Sequence, residues 1–168
     1  MSDKPTKFIA GFTIVELLLA LAITGVLLVA VAVAFNASII NYRENEDIFK
    51  TINSARQALF RITTQLRTAN AVDPNSPDNE CSLITAGDDD ITYRYNNGDN
   101  KLYLITNDDL FDSDYVLCEN VTAMTFTKDA VIEDMQIKVK SVQISMTVVS
   151  GDIVQTVSSA AAVRRNLK

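Results

Sequence analysis

The sequence contains no histidine. Serine and threonine hydroxyls are plentiful, but without histidine they lack the base that usually activates them as nucleophiles. Glycine-rich phosphate loops, Cys-x-x-Cys pairs and nucleophile elbows are also missing from the chain. We therefore expect no enzymatic activity.

Acidic residues outnumber basic ones, and the basic residues are mostly scattered along the chain. The formal net charge is −6, from 15 basic and 21 acidic residues. The one later concentration of positive charge is Arg164, Arg165 and Lys168 at the C-terminus. An acidic chain repels phosphate backbones, and this tail is too small for an electrostatic footprint on DNA. We expect no direct contact with nucleic acid.

Charge is absent from one long apolar run. Residues 17–35 are nineteen residues without a charge, and as a helix they would span about 28 Å, close to the roughly 30 Å core of a bilayer. Lys4 and Lys7 precede the run, whereas residues 43–47 after it are net acidic. The positive-inside bias then places the N-terminus in the cytoplasm. The pattern predicts a single-pass inner-membrane protein with a periplasmic C-terminal domain.

A secretory signal peptide is the alternative. Small-x-small sites at 30–32 and 32–34 would let signal peptidase cut near Ala34 and release a soluble periplasmic binding domain. However, the apolar run is longer than the usual 7 to 15 residues or so, and Glu16 stands at its front edge. An ionisable residue inside a membrane costs on the order of 2.5–3.5 kcal/mol, so it needs a partner or a function. Both features favour retention of the segment.

The residues around this carboxylate form a recognisable pattern. Residues 11–16 read Gly-Phe-Thr-Ile-Val-Glu and are followed by the apolar residues 17–23. The pattern resembles the processing site of type IV prepilins and type II secretion pseudopilins. The resemblance implies that a membrane-embedded prepilin peptidase cuts between Gly11 and Phe12 and methylates the new amine of Phe12.

The same resemblance implies an order of segments. Residues 1–11 would be a leader peptide, and residues 12–35 would be a retained transmembrane and filament-core helix. It also implies that Glu16 neutralises the amine of Phe12 on a neighbouring subunit during assembly. The partners would be other major and minor pilins or pseudopilins, the prepilin peptidase and an inner-membrane assembly platform.

The C-terminal part narrows the resemblance. A second helical half, a tyrosine-rich hairpin and a closing strand pair look like the PilW-type minor pilins and the J-type minor pseudopilins. They imply a structural minor pilin that primes or caps a type IV pilus. A minor pseudopilin of a type II secretion system is the alternative.

Glycine and proline are absent between Val26 and Val72, which predicts an uninterrupted helix. Its second part, predicted at 36–72, has apolar residues spaced four and three apart, a one-sided helical stripe. They are Ile48, Ile52, Ala55, Leu59, Ile62, Leu66 and Ala69. Pro74 and Pro77 then stop the helix.

Residues 73–168 predict an antiparallel sheet. Alternation at 91–95, the turn dipeptide Asn97-Gly98 and the segment 101–106 indicate a hairpin. Further strands are predicted at 116–118, 121–126, 137–149 and 153–157, the last two joined by a turn at 150–152. The expected fold class is α+β: one long N-terminal helix packed against an antiparallel sheet.

Two minor features remain. Cys81 and Cys118 are an even pair beyond the membrane run, which favours a disulfide over free core thiols in an oxidising compartment. Acidic turns, above all Asp108, Asp112 and Asp114, are weak calcium candidates because carboxylates suit that ion. These acidic turns do not match the pattern of an EF-hand loop, so we expect no obligatory cofactor.

Overall fold

A computed structural model describes residues 12–108, 114–133 and 136–164. The chain divides into two units, residues 1–43 and residues 44–168. One helix, α1, runs over Ile14–Thr68. Eight strands follow in chain order: β1 (Ala71–Val72), β2 (Glu80–Ile84), β3 (Asp90–Asn96), β4 (Lys101–Thr106), β5 (Tyr115–Cys118), β6 (Val121–Glu133), β7 (Gln136–Ser150) and β8 (Ile153–Ala162).

The strands form two antiparallel sheets. One has five strands in the order β1-β2-β3-β4-β5, and the other has three in the order β6-β7-β8. Neighbours in each sheet are consecutive in the chain, so each connection within a sheet joins two adjacent antiparallel strands, and the chain passes between the sheets from β5 to β6. The predicted α+β class and the long helix against antiparallel strands are confirmed, whereas the single predicted sheet is two sheets.

The apolar stripe of α1 lies in the core of the second unit. Its buried members include Ala55, Leu59, Ile62 and Leu66, and they share one cluster with side chains of both sheets. Alternate residues of β7 complete that core from the three-stranded sheet: Val142, Ile144, Met146 and Val148. The stripe predicted from spacing is therefore the buried face.

Polar contacts join the helix to the five-stranded sheet, among them one at Tyr93. The hydroxyl of Tyr93, in β3, donates a hydrogen bond to Oε1 of Gln65 on α1. Tyr93 is fully buried, and burial raises its pKa to about 12. The buried hydroxyl therefore keeps its proton and uses it in a hydrogen bond, as the hydroxyl of a buried tyrosine usually does.

The helix ends earlier than predicted. It stops at Thr68, and Ala71–Val72 pair with β2 as a short strand. The amide of Asn70 already donates to the carbonyl oxygen of Ile84 at 2.9 Å. Strand pairing therefore captures the chain before Pro74, a long-range contact that helical spacing cannot reveal.

The turns follow the sequence in part. The hairpin of β3 and β4 is confirmed, but its last pair is Asn96 with Lys101, so the loop has four residues rather than a two-residue turn at Asn97-Gly98. Asn100 takes the positive φ of 57° there. Between β7 and β8, Ser150 pairs with Ile153 across Gly151-Asp152. Gly151 has a φ of 57°, as expected of glycine at the first central position of a two-residue hairpin.

The structure does not support the predicted disulfide. Cys81 and Cys118 are both free and buried. They lie in β2 and β5 of one sheet, with β3 and β4 between them. Three strand spacings amount to about 14 Å, whereas a disulfide needs Cα atoms within about 7 Å. The thiols are core side chains, and burial raises the pKa of each from 9.0 to about 11.

We expect both thiols to be unreactive towards a thiol reagent at pH 8 in the folded protein. After denaturation without reductant, two thiols should react. The folded state binds the protons of both thiols more tightly than the unfolded state does, and this difference stabilises the fold. The stabilisation is complete below pH 9 and is lost as the pH rises towards 11. Denatured protein that shows no reactive thiol until reductant is added would restore the disulfide.

The buried face of α1 gives a second prediction. Ile62 is fully buried, while Phe60, on the same helix, is 74% exposed. Replacing Ile62 with alanine should lower the free energy of unfolding by about 2–5 kcal/mol because a cavity replaces the side chain. Replacing Phe60 with alanine should change it by no more than about 0.5 kcal/mol. Chemical denaturation followed by circular dichroism measures both, and equal losses would contradict this assignment of the core face.

Candidate amino-terminal processing and assembly site

The start of α1 is closed by two side chains that bind each other's backbone. The amide of Thr13 donates to Oε2 of Glu16 at 3.2 Å, and the amide of Glu16 donates to Oγ1 of Thr13 at 3.3 Å. Thr13 immediately precedes the first helical residue, Ile14. This reciprocal arrangement is a capping box, which satisfies two amide donors that the helix itself cannot.

Two further contacts complete the helix start. The hydroxyl of Thr13 donates to Oε2 of Glu16 at 3.2 Å. The carbonyl oxygen of Thr13 accepts the amide of Leu17 at 3.2 Å, the first bond of the helical ladder. A carboxylate in the first turn also lies at the positive end of the helix dipole. Glu16 therefore has a local role in the single chain.

Sequence reasoning identified Glu16 but missed Thr13. The available signal was the spacing Thr-x-x-Glu just before an apolar run, which is a sequence signature of a helix N-terminus. Its consequence is geometric. The helix begins two residues after Phe12, so Phe12 and Thr13 themselves are not helical. Phe12 is 83% exposed.

The predicted cleavage site is only partly described. Phe12 and Glu16 lie at the start of α1, four residues apart in the chain. Gly11 and the rest of the predicted leader, residues 1–11, lie outside the described residues. The structure thus shows the residues on the C-terminal side of the predicted cut, and the cut and the methylation of Phe12 stay predictions.

The helix that follows is apolar and uncovered. Every residue from 12 to 47 is exposed, including large side chains such as Leu18, Leu28 and Phe35. Among the described residues, α1 alone is long and apolar enough to cross a membrane, although a signal sequence would meet the same criterion. So large an apolar surface on a protein marks contact with lipid or with other protein chains.

The acidic turns do not form a metal centre in the described part of the chain. Oδ2 of Asp108 accepts the amide of Asp90 at 2.8 Å, and Oδ1 of Asp90 accepts Nδ2 of Asn107 at 2.8 Å. These carboxylates hold the ends of β3 and β4 together. No group of three or more histidine, cysteine, aspartate or glutamate side chains is gathered among the described residues. Asp114 is exposed, and Asp112 lies outside that set.

Comparison with known proteins returns one match, at the N-terminus. The family described as "Prokaryotic N-terminal methylation motif" matches residues 7–32. No curated protein and no solved structure matches the chain. The matched residues contain the predicted cleavage site, the capping box and the start of the apolar helix.

This match shows which class of protein the N-terminal part of the chain is similar to. Together with the exposed apolar helix and the pilin-like α+β fold, it supports a type IV pilin or pseudopilin that a prepilin peptidase processes. An apolar N-terminal helix also fits a membrane-anchored subunit. The kind of filament and the position of the subunit within it belong to the proposal below.

Proposed function

We propose that the protein is a structural minor pilin, cut between Gly11 and Phe12, methylated at Phe12 and incorporated into a type IV pilus that it primes or caps. The observation that carries this proposal is the methylation motif at the head of a helix whose apolar surface is exposed. In the membrane, lipid covers that surface. In the filament, the apolar helices of neighbouring subunits cover it.

The helix start suits the proposed cleavage. A peptide bond inside a helix is hydrogen-bonded and closed to a peptidase, whereas the capping box leaves Phe12 in front of the first helical turn. Glycine on the other side of the bond has no side chain to obstruct close approach of the enzyme. The leader can then be removed without unwinding the helix, and the transmembrane segment stays attached to the domain.

Cleavage also creates the charge on which assembly depends. The new amine of Phe12 is positive, and in a water-poor filament core it needs a negative partner. We infer that Glu16 of a neighbouring subunit supplies it, exchanging its local bonds with Thr13 for the pair between subunits. Removing one member of a buried ion pair costs about 3–5 kcal/mol because the other charge is left alone.

The remaining assignments rest on the sequence pattern. We propose that the N-terminus is cytoplasmic before processing, that residues 44–168 face the periplasm, and that the assembly platform and other pilins are the partners. The helix, hairpin and closing strand pair support the comparison with PilW-type minor pilins. The J-type minor pseudopilins of type II secretion share the same pattern and stay the alternative.

Intact-mass and N-terminal analysis of the protein from native membranes tests the processing step. We expect Phe12 as the first residue, carrying one added methyl group. Replacing Gly11 with leucine should leave the chain uncut at Met1, because the larger side chain blocks the peptidase. A native chain that begins near Ala34 would instead show cleavage by signal peptidase and end the pilin proposal.

The two roles of Glu16 can be separated by Glu16→Gln. Glutamine still accepts the amide of Thr13, because both residues serve in capping boxes, but it has no charge for the Phe12 amine. We expect normal cleavage and helix content, with incorporation into filaments reduced at least ten-fold, in line with the penalty for an unpaired buried charge. Filament fractions probed by immunoblot measure this.

Thr13→Ala is the matched control for that experiment. It removes the cap hydroxyl and leaves the carboxylate, so incorporation should stay close to that of the native chain. If Glu16→Gln assembles normally while Thr13→Ala does not, the capping box is the function of Glu16 and the pairing between subunits is wrong.

A further inference from the structure

The two sheets expose four edge strands in the described part of the chain, and three of them are protected. β1 has two residues and β5 has four, too few for a stable additional strand. β6 has register shifts at two places, and its outer side is occupied: the amide of Phe126 donates to the carbonyl oxygen of Asp78 at 2.7 Å. Nζ of Lys128 also donates to the carbonyl oxygen of Ser76 at 2.7 Å.

The fourth edge, β8, is neither short nor irregular, and the contact on its outer side is local: Nε2 of Gln155 donates to the carbonyl oxygen of Thr156 at 3.2 Å. Its ten residues, Ile153–Ala162, contain no charge and no proline. Its register with β7 is unbroken from Ser150–Ile153 to Ser141–Ala162, and no described strand pairs with its other side. Ile153 and Val154 are 47% and 64% exposed. A long, regular, uncharged edge is the kind that accepts another strand.

We propose that β8 is a docking edge for β8 of a second copy of this chain, paired antiparallel about Ser158. The charges at the two ends of β8 favour a second copy as the partner. Asp152 precedes the strand and Arg164 follows it, and both are exposed. An antiparallel partner needs the opposite order of charges along the edge, and a second β8 provides it.

The register follows from the backbone. In an antiparallel pair, opposed residues both point their amide and carbonyl groups towards the partner or both away from it. Backbone groups alternate in direction along a strand, so when a strand pairs with its own copy the two opposed residues are both even-numbered or both odd-numbered. The sum of their numbers is therefore even. Pairing about Ser158 opposes Thr156 with Ala160 and brings Asp152 to the level of Arg164, twice in each dimer.

The pairing adds a contact that the proposed filament role does not require. A two-fold contact uses the same surface on both partners and closes on itself. It would therefore join two filaments, or two subunits outside a filament, rather than elongate one. It also covers the unprotected long edge of the described sheets, at which exported copies would otherwise associate without a fixed register.

Cysteine cross-linking of the full-length chain in membranes tests the register. In the proposed dimer, Ser158 of one chain lies opposite Ser158 of the other. Opposed Cα atoms of an antiparallel pair are about 4.5–5.5 Å apart, within disulfide reach. Under mild oxidation, Ser158→Cys should give a covalent dimer. Thr156→Cys alone should not, whereas a mixture of Thr156→Cys and Ala160→Cys should. The native Cys81 and Cys118 are buried and give no background.

A cysteine on the protected edge is the control for random collision. Thr125, in β6, is exposed, and Thr125→Cys should cross-link at least ten-fold less than Ser158→Cys. Equal yields at both positions, or a strong dimer from Thr156→Cys alone, would overturn the proposal. A product joining Ser158→Cys to a different protein would assign the edge to a heterologous strand and likewise reject the second copy.

Charge reversal in the Ser158→Cys background tests the choice of partner. Asp152→Arg or Arg164→Asp alone should reduce the dimer yield about two- to ten-fold, the range expected for exposed ion pairs. The combination of both changes in one chain should restore it, because each pair is reversed and kept. Loss that the double variant does not restore would reject the pairing about Ser158.

Discussion

The apolar first part of α1 is exposed in the part of the chain that the structure describes, and the proposed function depends on that exposure. Every residue from 12 to 47 is exposed, whereas the stripe from Ala55 to Leu66 is buried under the sheets. The hydrophobic effect does not leave so large a surface in water. Membrane insertion and packing between subunits are the two ways to cover it, and a subunit that uses both in turn can pass from bilayer to filament.

Glu16 has a local role in the helix start and a second, proposed role in the filament. In the single chain it closes the helix through Thr13, and it lies in the first turn of α1, at the positive end of the helix dipole. In the proposed filament the same carboxylate meets the amine of Phe12 from a neighbour. A carboxylate with such a local partner is tolerated at the edge of an apolar run, and its exchange to a second partner makes assembly depend on prior cleavage.

The order of strands in the two sheets determines the surroundings of other residues. Cys81 and Cys118 are separated by two intervening strands, so the core keeps both as thiols. Register likewise distinguishes β8 from the other edges: β6 is covered through Asp78 and Ser76, whereas β8 is regular and open. Both properties depend on strand order, because the same cysteines and the same strand in another order would have had different neighbours.

Local signals in the sequence by themselves determined the helix, the membrane-length run, the hairpin of β3 and β4 and the methylation motif. Spacing of three and four along α1, and of two along β7, already marks the buried faces, and the capping box could have been read from Thr13 and Glu16. Only the tertiary structure decided where α1 ends, how many sheets form, that the two cysteines lie apart, and which long edge has no described strand beside it. These features depend on contacts between residues far apart in the chain, such as Asn70 with Ile84. Such contacts produce no repeating pattern of residues in the sequence.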